Sequence, residues 1–112
     1  MAGNGSIDFA GADNANNDLT AWHGNSTLNV GTGIAVTGSQ SGGINMGVGG
    51  TFSGTAIAGT SGKTLAFSGS NWNNAGTLRA AGGTLSLTSN SSTTWASSGT
   101  LDLDSGTLNL GG

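Results

Sequence analysis

The chain has 112 residues, of which 23 are glycine, and it contains no cysteine and no proline. Charged residues make up 6 % of it and the formal net charge is −3, whereas roughly a quarter of an average globular domain is charged. Without cysteine, disulfide scaffolds and Cys-ligated zinc sites are excluded. The two basic residues are too few for a phosphate-binding cluster, so we expect no nucleic-acid partner. Because no apolar run reaches the roughly 20 residues that span a bilayer, we expect no membrane insertion.

The predicted elements are short strands. Apolar residues alternate with polar or small ones in short groups separated by Gly, Ser and Asn, and period-two alternation is typical of half-buried strands. No window combines helical apolar spacing with good helix formers, and abundant glycine opposes a helix interior. The sequence therefore predicts an all-β chain. In chain order the alternating groups are residues 7–9, 28–30, 34–36, 44–48, 65–67, 85–87, 101–103 and 108–110.

An internal repeat is the strongest signal. The text W-N-N-A-G-T-L-R-A-A-G-G-T-L-S-L starts at Trp72, and W-A-S-S-G-T-L-D-L-D-S-G-T-L-N-L starts at Trp95, with one offset of 23 residues throughout. A period of this length with two or three strands indicates a parallel β-solenoid. The identical pairs are Trp72/Trp95, Gly76/Gly99, Thr77/Thr100, Leu78/Leu101, Gly83/Gly106, Thr84/Thr107, Leu85/Leu108 and Leu87/Leu110.

A weaker copy of the repeat begins at Trp22. Thr27 follows Trp22 by five residues, as Thr77 follows Trp72, so Leu28 and Val30 are expected to align with positions 78 and 80. The 50 residues from Trp22 to Trp72 leave room for one coil without tryptophan, with later strands at 54–56 and 63–67. Four apolar residues are candidates for its tryptophan position: Ile44, Met46, Val48 and Phe52.

The whole chain is predicted to be one solenoid domain, residues 1–112, of about 4–5 coils of ~23 residues. Residues 1–21 are expected to form an irregular partial first coil or cap, and residues 22–112 the repeat coils. Stacking coils about 4.8 Å apart places equivalent residues above one another. In T-L-x-L the leucines then point inward, so leucine columns and a Trp72/Trp95 stack form the predicted core. Arg79 and Asp102 become outward neighbours that can pair.

Few residues suggest chemistry, and we expect no catalytic, metal or cofactor site and no enzymatic activity. His23 is the single histidine, and a lone histidine without a defined partner does not make a triad. Asp102 and Asp104 are predicted to lie on a solvated strand, in the columns that hold Arg79 and Ala81 in the preceding coil. Residues 13–18 (D-N-A-N-N-D) lack the spacing of a calcium loop and are interpreted as a polar cap or loop.

The W-x-N-x-G-T-L start followed by G-G-T-L-S-L resembles the repeats of large bacterial surface exoproteins, namely autotransporter passenger domains and filamentous haemagglutinin-like proteins. The likeness covers mainly residues 72–112 and, more loosely, residues 22–71. It implies a right-handed β-helix that is secreted to the bacterial cell surface and acts in adhesion or self-association. It transfers no functional residue, because the shared motif is structural.

The last repeat strand runs to the end of the sequence without a helix, charged residue or proline that would block addition of another strand. We therefore expect a structural, non-catalytic extracellular module that self-associates end to end, as a head-to-tail homo-oligomer, into a fibre, or that joins flanking coils of a larger chain in a surface stalk. The alternative is an adhesin module that binds carbohydrate or a host surface. A phage fibre segment and an ice-binding solenoid with outward Thr columns remain lesser alternatives.

Overall fold

The computed structural model describes residues 4–10, 18–20, 26–89 and 94–111, and these residues contain twelve β-strands and no helix. The strand bounds are β1 Gly5–Phe9, β2 Asp18–Thr20, β3 Asn29–Val30, β4 Ile34–Gly38, β5 Gly42–Val48, β6 Thr51–Phe52, β7 Thr55–Ala58, β8 Thr64–Ser70, β9 Asn73–Asn74, β10 Thr77–Leu87, β11 Ala96–Ser97 and β12 Thr100–Leu110.

The strands wind into a three-faced solenoid in which all strand-to-strand pairs are parallel. Face 1 consists of β1, β4, β7 and the first halves of β10 and β12. Face 2 consists of β2, β5, β8 and the second halves of β10 and β12. Face 3 is the four-stranded sheet β11-β9-β6-β3. In β10 and β12 the chain turns from face 1 to face 2 at Gly82 and Gly106, whose positive φ angles of 109° and 92° favour glycine.

This architecture confirms the predicted all-β, parallel β-solenoid. After β1 and β2, four complete coils follow, and most Cα partners in consecutive coils lie 20 to 23 residues apart. The longest matched stretch joins β10 to β12 at the 23-residue offset of the sequence repeat.

The core is built from columns of inward side chains, one residue per coil. Face 1 contributes Val36, Ala56, Leu78 and Leu101 in one column and Ala58, Ala80 and Leu103 in the next. Face 2 contributes Leu65, Leu85 and Leu108, and Ile44, Phe67, Leu87 and Leu110. The members from the inner coils are buried, so the repeated leucines form the hydrophobic interior.

A chain of aromatic rings crosses the same interior. Trp72 and Trp95 stack with centroids 5.6 Å apart and an interplanar angle of 18°. Phe67 stacks on the other side of Trp72 at 5.8 Å, and Phe52 meets Phe67 edge-on at 5.1 Å. Such offset or edge-on pairs add stabilisation beyond the buried area, so the tryptophans link the last two coils to the middle of the core.

The alignment predicted for the first coil is wrong, because its strands pair with the next coil in a different register. Val30 pairs with Phe52, and Phe52 pairs with Asn74, so Val30 lies on face 3 and not beside position 80. The equivalent of Leu78 in that coil is Val36. The physical reason is a corner: Thr27 forms an antiparallel bridge with Gly47 and its Oγ1 donates to the carbonyl of Val48 at 2.7 Å. Trp22 lies outside the described residues.

The tryptophan-free coil also differs from the expectation. Since Asn73 pairs with Thr51, the register places Gly50 at the position of Trp72, and none of the four predicted apolar residues occupies it. Met46 is fully buried, and its Cβ would lie 3.0 Å from a Cβ on Gly50. The carbonyl oxygens of Leu28 and Met46 would lie even closer, so backbone together with Met46 Cβ occupies the space that a side chain at residue 50 would need. The strands predicted near 54–56 and 63–67 are β7 and β8.

Glycines 54, 76 and 99 precede the first strand of face 1 in successive coils, where backbones approach most closely. A Cβ on Gly76 would overlap the carbonyl oxygen of Gly54, and one on Gly99 would overlap that of Gly76. The alanine variant Gly76→Ala must push two coils apart, so we expect it to lower the free energy of unfolding by about 1–3 kcal/mol.

Urea denaturation of the purified variant measures this loss. Gly59→Ala is the matched control, because a Cβ there would meet its nearest atoms at 3.7 Å and 3.8 Å, in ordinary contact, and should change stability by less than about 0.5 kcal/mol. Equal stability of the two variants would contradict the close approach at residue 76.

Asn74 is the one buried polar side chain of the described residues, with 0 % exposure. Its Oδ1 accepts from the Gly76 N–H at 3.1 Å, and its Nδ2 donates to Ser97 Oγ at 3.1 Å and to the Thr100 carbonyl at 3.3 Å. The amide therefore ties the corner between faces 3 and 1 to the next coil.

We expect Asn74→Ala to lower the free energy of unfolding by about 1–3 kcal/mol, because buried partners lose their hydrogen bonds. The neighbouring Asn73→Ala is the control, since Asn73 is only half-buried and donates to Ser98 Oγ at 3.4 Å. Thermal and urea unfolding of both variants test this expectation, and a loss at residue 73 as large as that at residue 74 would contradict it.

Candidate functional site: the carboxy-terminal end face

The last coil leaves one end of the core exposed. Its inward side chains, Trp95, Leu101, Leu103, Leu108 and Leu110, are here called the end face. Trp95, Leu101 and Leu108 are half-buried against the preceding coil, while Leu103 and Leu110 are 54 % and 58 % exposed. Ala80 and Leu87, the residues of the preceding coil that these two cover, are buried. The end face is thus a cross-section of the core, and among the described residues no further coil covers its outer side.

The backbone of β12 is an open edge of the sheet. On its inner side the Thr100 N–H donates to the Gly76 carbonyl and the Gly111 N–H to the Leu87 carbonyl, both at 2.8 Å. Because successive residues of a strand direct their N–H and C=O alternately to the two sides, the groups of Leu101, Leu103, Leu108 and Leu110 point away from the body. Apolar side chains and available backbone groups therefore occur on the same four residues.

The amino-terminal end is built differently in its described part. Phe9 is buried, and its ring occupies the position that a Cβ on Gly42 would take. The ring therefore covers the inward core column to which Gly42 belongs. Asp8 accepts hydrogen bonds from the Ser39 N–H at 3.0 Å and from Ser39 Oγ. The Gln40 N–H donates to the Phe9 carbonyl at 2.9 Å. A bulky ring and a bound carboxylate thus close this part of β1 against the first coil.

A small charge cluster lies on the outer surface of face 1 beside the end face. Arg79 pairs in register with Asp102, with Nε 3.7 Å from Asp102 Oδ2, and its Nη2 donates to Asp104 Oδ2 at 2.7 Å. The hydrogen bond and charge of Asp104, followed by the charge of Asp102, raise the pKa of Arg79 above its usual value despite partial burial. The guanidinium is therefore positive throughout the ordinary pH range.

The sequence predicted the Arg79/Asp102 neighbours but missed Asp104 as the closer partner. A register irregularity pairs Ala81 with Ser105, not with Asp104 as expected, and leaves Asp104 free to reach Arg79. The D-L-D alternation puts both carboxylates on the outer surface, and it is the sequence signal from which Asp104 could have been recognised as a partner of Arg79.

The Thr columns considered for ice binding are present on two faces. Thr55, Thr77 and Thr100 pair in register on face 1, as do Thr64, Thr84 and Thr107 on face 2. Thr27 does not join the first column, because it lies at the corner before β3. Next to the first column run Ile57, Arg79 and Asp102, so each threonine column is one residue wide.

The remaining candidates lie largely outside the described residues. His23 and residues 13–17 lie outside the described residues, and Asp18 is the first residue of β2. Within the described ranges no three His, Cys, Asp or Glu side chains group together for a metal ion. In the same part of the chain, no helix is long and apolar enough to cross a membrane.

Fold and end face together define a parallel β-solenoid with an exposed core at its carboxy-terminal end. No protein-family model, curated protein or solved structure matched the chain.

The distances within the charge cluster rank its two carboxylates. Asp104→Asn removes the shorter contact, so we expect it to lower the thermal midpoint more than Asp102→Asn does. In about 1 M salt the screening length falls to about 3 Å, and the difference between the variants should shrink. Thermal unfolding at low and high salt measures both effects; a larger loss from Asp102→Asn would show that the register contact dominates.

Proposed function

We propose that this chain is a structural, non-catalytic, extracellular solenoid module that joins further coils end to end, as a subunit of a fibre or a segment of a surface stalk. The observation that supports it is the end face, where four leucines combine apolar side chains with outward-directed backbone groups. An added coil, from a second copy or from flanking coils of a larger chain, would continue both the core columns and the hydrogen-bonded sheet.

The energetics favour association at this end over other surfaces. Burying a leucine side chain completely contributes about 1.5–3 kcal/mol, and the end face offers Leu103 and Leu110 more than half exposed. An edge strand is also a template for pairing with another chain, and natural sheets usually block such edges with charge, proline or short strands. β12 is eleven residues long, and its four inward positions in the two half-strands are all leucine. Its two charged residues, Asp102 and Asp104, point outward and are paired with Arg79.

Location at the bacterial surface is part of the same proposal. It is supported by the resemblance of residues 72–112 to the repeats of secreted surface exoproteins, a class of long, cysteine-poor stalks. The adhesin alternative lacks a specific observation in its favour. Of the aromatic side chains described, Phe9, Phe52, Phe67 and Trp72 are buried, and Trp95 is half-buried in the ring stack.

The proposal predicts association that depends on concentration and on the end face. The purified chain should shift from monomer to larger species as its concentration rises, and Leu103→Lys/Leu110→Lys should remain monomeric, because two charged side chains would have to be buried. Sedimentation velocity and negative-stain electron microscopy measure this. Both positions are already exposed, so the variant should unfold at a temperature close to that of the original chain.

A charge-matched control separates the end face from a general effect of added lysine. Val48 is 40 % exposed and lies on the flank of the solenoid, and Ser61 lies in an exposed turn, so Val48→Lys/Ser61→Lys should associate like the original chain. A chain that stays monomeric at every concentration would falsify self-association through the end face and leave only the joining of flanking coils in a larger chain. Association that persists in Leu103→Lys/Leu110→Lys would show that the contact between copies lies elsewhere on the molecule.

A further inference from the structure

The end face can meet a second copy in two ways, and the described residues distinguish them. In a head-to-tail contact, β1 of the next copy would extend face 1 in the existing parallel register. In a tail-to-tail contact, two end faces would meet about a twofold axis, with β12 antiparallel to its counterpart. Both are forms of the proposed end-to-end association, so the inference below rests on the proposed function and concerns the polarity of the contact.

A head-to-tail contact brings like charges together. The outer column of face 1 runs Asp8, Thr37, Ile57, Arg79 and Asp102 from coil to coil. Continuing this column with a second copy would set its Asp8 directly beside Asp102, with Asp104 close by. Like charges in directly opposite positions destabilise a sheet, and the one arginine of the cluster is already shared between Asp102 and Asp104.

A tail-to-tail contact has a register that suits both the backbone and the side chains. If Leu101 faces Leu110 of the second copy, then Leu103 faces Leu108 of that copy, and the symmetry repeats both pairs. All four leucines direct their backbone groups toward the open side, as the inner-side bonds of Thr100 and Gly111 indicate. They therefore match the hydrogen-bonded pairs of an antiparallel ladder, and their side chains all lie on the core side.

The charges are also accommodated in that register. Asp102 faces Asn109 of the second copy, and Asp104 faces Thr107 of that copy, so no two carboxylates lie directly opposite each other. The two halves of β12 exchange places across the axis, which passes through the corner near Ser105 and Gly106. The strands of a solenoid coil follow a helical path around its axis. A twofold axis through the middle of β12 therefore keeps the two paired strands at a constant spacing along their whole length.

From these observations we infer that the end face is a self-complementary surface whose partner is the end face of a second copy of this chain, in the antiparallel register Leu101–Leu110 and Leu103–Leu108. The contact is isologous, so it closes into a dimer of two solenoids and does not by itself grow into a fibre. A longer assembly would use this dimer as its unit and would need a second contact at the amino-terminal ends.

Disulfide trapping tests the polarity, since the chain contains no cysteine of its own. Ser105 is exposed and lies beside the inferred axis, so Ser105→Cys should form a covalent dimer under mild oxidation, within the Cα separation of roughly 4.4–6.8 Å that a disulfide allows. Mixing Asp102→Cys chains with Asn109→Cys chains should give a mixed dimer, whereas neither variant should dimerise alone. Ser61→Cys, in an exposed turn away from the end, controls for random collision.

The opposite polarity has its own signature. If Asp8→Cys and Asp102→Cys chains crosslink with each other and Ser105→Cys chains do not crosslink, the contact is head-to-tail; the inference then fails while the proposed function stands. Association without either crosslink overturns the tail-to-tail register in the same way. Monomers at every concentration, with no crosslinks, overturn both the inference and the self-association on which it rests. Thermal unfolding under reducing conditions, compared with the original chain, shows that each cysteine variant is folded.

Discussion

Main-chain pairing between consecutive coils is the interaction on which the rest of this structure depends. Most strands are short, and those of face 3 have only two residues, so no coil could be stable alone. Parallel pairing fixes equivalent residues above one another, and the core then consists of columns. Because apolar residues recur in each column, a chain with 6 % charged residues can still form a continuous interior. Most of the polar residues are serine, threonine and asparagine, on outward positions and corners.

The sequence was most informative where the columns are most regular. Residues 72–110 repeat without a gap, so the offset of 23 predicted the β10–β12 register and the Arg79/Asp102 neighbours. It failed in the first coil because corners vary in length: β4 to β7 advances by 20 residues, whereas β5 to β8 advances by 23 at most positions. Alternation alone cannot distinguish a strand from a corner such as Thr27, which pairs antiparallel. The D-L-D alternation places Asp104 on the outer surface, but the buried role of Asn74 and the irregularity that pairs Ala81 with Ser105 depend on three-dimensional contacts for which the sequence pattern has no signal.

Close packing of coils also explains where side chains are missing. Glycine at positions 54, 76 and 99 lets the backbones approach at the entrance to face 1, and each glycine lies directly against a carbonyl of the preceding coil. Elsewhere a glycine makes room for a side chain from another coil, as Gly42 does for Phe9, while at Gly50 the closest atoms are the carbonyl oxygens of Leu28 and Met46. The high glycine content is therefore compatible with a packed core, because the space left by a missing side chain is occupied by a neighbouring backbone or ring.

The properties that stabilise the interior also determine what happens at an open end. Every inner coil presents apolar columns and backbone groups that the next coil covers, and the end face presents the same set without a covering coil in the described structure. The two halves of β12 read T-L-D-L and T-L-N-L, and each contains the triplet L-x-L, whose inward and outward pattern is the same in both chain directions. Such an edge fits a reversed copy of itself as well as it fits the next parallel coil. The charges then decide between the two, because Asp8 opposes Asp102 in the parallel arrangement and Asn109 opposes Asp102 in the reversed one.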